Sequence, residues 1–216
     1  MSTKKPKKPD KRTLNQYYAK RITETMDKAL DQYPRLLAVR FDLRFPDEEN
    51  RVDCPTRYYD NPDVISRFIN SLKSQIAEDI KRKRKAGKNT LTCDVRYIWV
   101  REHNEQETKN HYHVVLLLNK DAYAWPGRRE TGTSFNRYSV FQMVIEAWVR
   151  AIKREDHEKN HHGLIHLPHE GFYQLNRNKP DFKAKYEELT ERAMYLAKDH
   201  SKNTSDGYRN FGCSQG

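Results

Sequence analysis

Hydrophobic positions switch along the chain between helical and strand spacing, and that switching predicts the order of elements. Leu14, Tyr18, Ile22, Met26 and Ala29 recur at helical intervals, which predicts a helix over 13–32, with Thr13 able to cap it and Pro34 ending it. Residues 38–45 then alternate strictly. Val39, Phe41, Leu43 and Phe45 fall on one side, and Arg40, Asp42 and Arg44 on the other. That is a strand with an apolar face and a charged one, the latter being either solvent surface or part of a phosphate-binding floor. Residues 46–60 read as a loop. Asn61-Pro62-Asp63 is a helix start, and Ile65, Phe68, Ile69, Leu72, Ile76 and Ile80 form one apolar stripe behind it.

Two strand-like runs, 95–102 and 111–118, are separated by polar residues and predict an antiparallel hairpin. A loop over 120–134 contains Gly127-Arg128-Arg129. A third long helix is predicted over 135–153, short strands over 163–167 and 172–175, and a last helix over 181–199 opened by Pro180. This order predicts an α+β fold, a central antiparallel sheet with helices packed on one face and the other face open. Residues 13–200 form its single domain, between a Lys- and Pro-rich arm at 1–12, read as disordered, and a polar tail at 201–216.

Composition narrows the class of partner. The 216 residues are 36% hydrophobic and 33% charged, with net charge +11. A chain this basic meets a polyanion, with nucleic acid the first candidate and an anionic membrane surface the alternative. No apolar run reaches the roughly 18 residues of a membrane-spanning helix, and the N-terminus lacks the apolar segment of a signal peptide. Cys54, Cys93 and Cys213 are scattered and without Cys-x-x-Cys spacing, which argues against a disulfide framework or a thiolate zinc site and fits a reducing cytoplasm. Cations suit a helix C-terminus, but the tract Lys81-Arg82-Lys83-Arg84-Lys85 exceeds what capping requires and points to a phosphate contact.

Candidate chemistry sits on the hairpin. His111 and His113, two apart on a strand, share a face, and the hairpin brings Glu102 near them. Two imidazoles and a carboxylate leave open coordination positions, as a catalytic divalent metal needs. In the last helix the apolar stripe is Phe182, Tyr186, Leu189, Ala193 and Leu196. Tyr195 falls about 140° from its centre. Core packing therefore does not account for Tyr195. With Lys198 one turn on, it is a candidate nucleophile, because a nearby cation or metal favours the anionic form of a phenol. A second histidine group, His157, His161, His162, His166 and His169, contains the bare His-Glu-x-x-His string at 157–161. Its neighbours Asn160, His162 and Gly163 suit a loop and not a zinc-binding helix.

Taken together, Glu102, then His111-Tyr112-His113-Val114-Val115-Leu116-Leu117, then Tyr195-Leu196-Ala197-Lys198 resembles the His-hydrophobic-His (HUH) endonucleases. More narrowly the chain resembles rolling-circle replication initiators of the filamentous-phage (inovirus) and YagK/YfjJ-type group. The end, Tyr208-Arg209-Asn210-Phe211-Gly212-Cys213-Ser214, is similar to the tail that follows the Tyr-x-x-Lys motif there. The resemblance spans roughly residues 30–214. It implies an RRM-like sheet, Mg²⁺ or Mn²⁺ held by His111 and His113 with Glu102 as third ligand (His103 the fallback), and the single-tyrosine class. Tyr195 would attack a scissile phosphate of single-stranded DNA to leave a 5′-phosphotyrosine and a free 3′-hydroxyl, and Lys198 would position or neutralise that phosphate. Tyr186 or Tyr208 are the substitutes for the nucleophile. Lys81–Lys85 with Arg40, Arg44 and Arg101 would track the strand, and Tyr97, Trp99 or Trp125 are candidates for base stacking. The implied partners are single-stranded or hairpin origin DNA and host helicase and replication proteins, since the chain has no nucleotide-binding Gly-x-x-x-x-Gly-Lys-Ser/Thr loop. The competing reading is a basic nucleic-acid-binding protein with a degenerate site.

Overall fold

The computed structural model describes residues 14–46, 61–103, 110–127, 139–153, 162–198 and 206–215. The predicted arm at 1–12, most of the loop at 46–60, Thr13, Arg128, Arg129, His157 and His161 lie outside them. The elements are α1 (Gln16–Gln32), β1 (Arg35–Leu43), α2 (Val64–Lys85), β2 (Arg96–His103), β3 (Asn110–Asn119), α3 (Val140–Ala151), β4 (Ile165–His166), β5 (Phe172–Asn176), α4 (Phe182–Met194) and β6 (Phe211–Cys213). The strands form one antiparallel sheet in the order β4-β1-β3-β2-β6, with β5 also paired to β1. The fold is α+β, as the sequence predicts.

Strand alternation divides the core in two. Leu37, Val39, Phe41 and Leu43 of β1, with Tyr112, Val114, Leu116 and Leu118 of β3, pack against the apolar stripe of α2 and against Val144 and Trp148 of α3. Each such buried side chain stabilises the fold by about 1.5–3 kcal/mol relative to exposure. Leu36, Ala38, Ile98, Val100, Val115 and Leu117 point the other way, against Ile22, Met26 and Leu30 of α1 and Leu189 and Ala193 of α4. Helices therefore lie on both sides of the sheet, and the second face is open only towards one end. The reason is visible along the strands. On that face β1 passes from Leu36 and Ala38 to Arg40 and Asp42, β2 from Ile98 and Val100 to Glu102, and β3, read backwards, from Leu117 and Val115 to His113 and His111. Apolar positions take the helices, and the polar corner is left outside them.

Three element boundaries differ from the sequence expectation. α1 starts at Gln16, where Asn15 Oδ1 accepts from the Tyr18 N–H, while Leu14 forms a bridge to Lys198 instead of a first helical turn. α2 starts at Val64, because Asn61 spends its side chain on Arg67 and its carbonyl on the Val64 N–H. The last helix stops at Met194, and Tyr195–Ala197 tighten into a 3-10 turn.

The predicted tail contributes an edge strand. Phe211–Cys213 pairs with β2, and Phe211 stacks on Tyr18 of α1 at 4.4 Å between ring centroids. Arg101 holds the approach to it. Its guanidinium is buried and donates to Asn210 Oδ1 (2.9 and 3.0 Å) and to Asp206 (2.7 Å). Gly212 lies directly over the Trp99 indole, where a Cβ would stand 2.5 Å from a ring carbon. Gly212→Ala should therefore cost about 1–3 kcal/mol in urea unfolding, as overpacking against a rigid ring does, with faster amide exchange concentrated at 211–213.

Candidate metal centre

The register of the hairpin sets Glu102 opposite His111 and Val100 opposite His113, and β1 sets Asp42 opposite His113. All four polar side chains lie on the same face. Glu102 Oε2 stands 3.0 Å from His113 Nε2 and 3.8 Å from His111 Nε2. Ligand atoms of Glu102, His111 and His113 all fall within 4.8 Å of one another. A divalent ion with bonds of about 2.1 Å spaces neighbouring ligand atoms about 3.0–3.4 Å apart, so this donor set fits one with small side-chain rotations. His103 is next to Glu102 on β2, and alternation turns it to the other face. Glu102 is thus the third member of the cluster.

Asp42, which the sequence left as one residue of a charged strand face, belongs to the centre. It is buried, its Oδ1 lies 2.5 Å from His113 Nδ1, and its Oδ2 lies 3.1 Å from His166 Nδ1. A carboxylate on Nδ1 fixes the ring and leaves Nε2 to face Glu102 and a metal, the usual second partner of a metal-bound histidine. Its signal in the sequence was a carboxylate at an inward position of β1. Its partner could not be read, because the pairing is 71 residues away. His166 enters through Asp42 and not as part of the second histidine group.

Electrostatics make the same point. Burial disfavours the His113 imidazolium, but hydrogen bonds to Asp42 and Glu102 outweigh it and raise the pKa to about 9. Burial would likewise raise the Asp42 pKa, yet the hydrogen bond to His113 prevails and holds it at about 2. A proton shared by His113 and Glu102 occupies the place a cation would take.

Tyr195 comes to this centre from the far end of the chain. Its ring lies 6.2 Å from that of His113, edge to face, and it is 39% exposed. Leu196 and Ala197 are fully buried behind it, and the Ala197 carbonyl accepts from the Asn15 N–H at 2.8 Å. Lys198 Nζ sits 3.7 Å from the Tyr195 ring centroid, because side chains three apart eclipse in a 3-10 turn. The Arg40 guanidinium lies 5.4 Å from the same ring, with its Nε buried and making no hydrogen bond among the described residues. Arg44 is exposed on the same strand face, two residues beyond Asp42.

The other predicted contacts are elsewhere. Arg101 faces away from the histidines and is committed to Asp206 and Asn210, a structural use in place of the expected strand contact. Lys81–Lys85 end α2 on the opposite sheet face, beside Tyr123 just past β3. Eight residues of β3 separate Asn119 from His111, roughly 27 Å. Four members of the tract have local partners: Lys81 pairs with Glu78, Arg82 and Lys83 with buried Asp79, and Arg84 donates to the Thr90 carbonyl. Trp125 is exposed against Phe172, Trp99 is buried, and Tyr186 and Tyr208 bond or stack with Asp27 and Arg101.

Fold and site together define an α+β protein whose antiparallel sheet carries a Glu-His-His cluster able to hold a divalent cation, with a tyrosine from a separate element beside it. The chain belongs to the YagK/YfjJ C-terminal domain family, which matches residues 1–214. It is 36% identical over 201 residues to the uncharacterized protein YagK of Escherichia coli (strain K12), covering 92% of each chain, and 34% identical over 205 residues to the uncharacterized protein YfjJ of the same organism, covering 92% of this chain and 94% of that one. No solved structure matches it.

Two outcomes are expected. Asp42→Ala should weaken Mn²⁺ binding about 10- to 100-fold by titration calorimetry, the usual effect of losing a ligand-orienting carboxylate. The raised His113 pKa means its protonated form stabilises the chelator-treated protein fully below about pH 6.5 and loses that contribution as pH rises towards about 9. Because a cation replaces the proton, Mn²⁺ affinity should rise over the same window. Saturating Mn²⁺ should offset the loss of thermal stability, read from melts at pH 6, 7.5 and 9. The depressed Asp42 pKa acts at the other end: its contribution is lost as pH falls from about 3.8 to about 2.

Proposed function

We propose that this protein is a metal-dependent enzyme that nicks and rejoins single-stranded DNA, a rolling-circle replication initiator of the single-tyrosine HUH class acting in the cytoplasm. The observation that carries the reading is the placement of Tyr195. A phenol is held 6.2 Å, ring to ring, from one of two clustered histidines, with the cations Arg40 and Lys198 both close to its ring. A tyrosine with only a structural task has no need of that setting.

Glu102, His111 and His113 would hold the ion, and the mixed imidazole and carboxylate donors accept Mg²⁺ and favour Mn²⁺. A bound divalent ion supplies charge withdrawal and orientation at the non-bridging oxygens of the scissile phosphodiester. Asp42 keeps His113 in the tautomer that presents Nε2. The Arg40 guanidinium and the Lys198 ammonium, both close to the Tyr195 ring, would neutralise charge on the phosphate. With the phosphate so held, the Tyr195 oxygen attacks phosphorus in line with the 3′-oxygen. The tyrosyl O–P bond forms, the P–O3′ bond breaks, the phenol gives up its proton to water, and the departing 3′-oxygen takes one up from water to become the 3′-hydroxyl. The phosphotyrosine ester keeps the free energy of the broken link, so a 3′-hydroxyl can reverse the step without a nucleotide. Unwinding of duplex DNA falls to a partner helicase.

The test is covalent capture. The purified protein is incubated with Mn²⁺ and single-stranded oligonucleotides tiling the replicon that encodes it, then run on a denaturing gel. A protein–DNA adduct is expected, absent in Tyr195→Phe and reduced about 100-fold or more in His113→Ala, as loss of metal-held charge stabilisation predicts. Binding of every oligonucleotide with no adduct would overturn the enzyme and leave a DNA-binding protein with a degenerate centre.

A further inference from the structure

A cavity lies away from the metal centre, with none of that centre's residues in its lining. A groove of about 630 Å³ wraps the free edge of the sheet at β6, between the N-terminal half of α1 on one face and α2 on the other. Its volume is that of a site for a nucleotide-sized ligand. Tyr17, Tyr97, Trp99 and Phe211 line it together with Arg21 and Arg209; among the described residues no carboxylate is in the lining, and Arg21 is itself paired with Glu24 at 2.6 Å. Tyr17 is 64% exposed. For a residue on the first turn of a helix whose other aromatic, Tyr18, is already packed on Phe211, that exposure has no packing explanation. Arg209 is exposed and has no carboxylate partner among the described residues. Lys73 adds a further cation 5.3 Å from the Tyr97 ring.

We propose that this groove binds single-stranded DNA independently of the metal, with a base seated against Tyr17 and Tyr97 and a neighbouring phosphate on Arg209. Exposed aromatic faces beside an arginine that has no carboxylate partner among the described residues match a polymer that joins flat bases to anionic phosphates. An acidic peptide would satisfy the arginines but leave the exposed rings without flat partners. The groove also reaches the face that carries the centre: Phe211, opposite Val100, packs on that face with α1, and Glu102 is two residues beyond Val100 on β2, roughly 7 Å along the strand. The inference rests on the proposed function for the identity of the polymer and adds where that polymer is gripped. It also gives the Tyr208–Ser214 segment a task besides closing the sheet edge.

The test separates grip from chemistry. Anisotropy of a fluorescein-labelled oligo-dT 20-mer is measured in EDTA, where no nicking can occur. Tyr17→Ala and Arg209→Glu, both at exposed positions that leave the core intact, should each weaken binding roughly 5- to 150-fold, the range of one lost base–aromatic contact. The salt dependence should tell them apart. Arg209→Glu should lower the slope of log K against log salt by about 1 or more, and Tyr17→Ala should leave it unchanged. Photo-crosslinking of a 5-bromodeoxyuridine oligonucleotide should label Tyr17 or Tyr97. Unchanged affinity in both variants, or crosslinks only around Tyr195, would overturn the groove while leaving the nicking reading standing. Metal-free binding that depends on the groove, without any Mn²⁺-dependent adduct, would do the reverse.

Discussion

The register of three strands, β1, β3 and β2, is the constraint on which the rest depends. Antiparallel pairing sets Asp42 against His113 and Glu102 against His111, all on one face. A slip of one residue in either pairing would turn those side chains to the other face, and would equally expose Val114 and Leu116 while burying charges under α2. The same hydrophobic packing that fixes the fold therefore fixes the centre. Little of the site needs to be stabilised for its own sake, since its geometry is inherited from the core.

Two buried carboxylates within reach of one imidazole would be unfavourable in isolation, because each loses hydration. They are tolerated because His113 donates to both and because His166 and Arg40 lie at the rim. The outcome is a pair of carboxylates gathered at one point of a chain whose net charge is +11. A cation is drawn to the carboxylates and a polyanion to the surrounding surface. The two attractions meet at Tyr195, whose ring lies close to Arg40 and Lys198 and edge to face with His113.

Basic residues illustrate how poorly charge alone reports position. Lys81–Lys85 form the densest cationic run in the described chain, yet the helix carries them to the far end of the sheet, and buried Asp79 takes two of them. Arg101 adjoins a metal-cluster residue in sequence and points to the opposite face, where it fastens Asp206 and Asn210. Arg40, by contrast, lies within a strand with nothing to distinguish it from Arg44, and it is the one placed over the tyrosine.

The sequence by itself determined the elements and the hairpin: the period-two alternation of 38–45, the stripe of α2 and the His-x-His spacing are local, and local sterics and burial decide them. It also singled out Tyr195, because a helix that buries one face leaves an aromatic on the other unexplained. Only the tertiary structure decided that helices cover both sheet faces, that Asp42 and His166 join the centre, that Glu102 and not His103 completes it, and that 211–213 is an edge strand walling a groove. Each of those is a pairing between segments far apart in the chain. Such pairings are set by how whole faces fit together, so no window of neighbouring residues contains them.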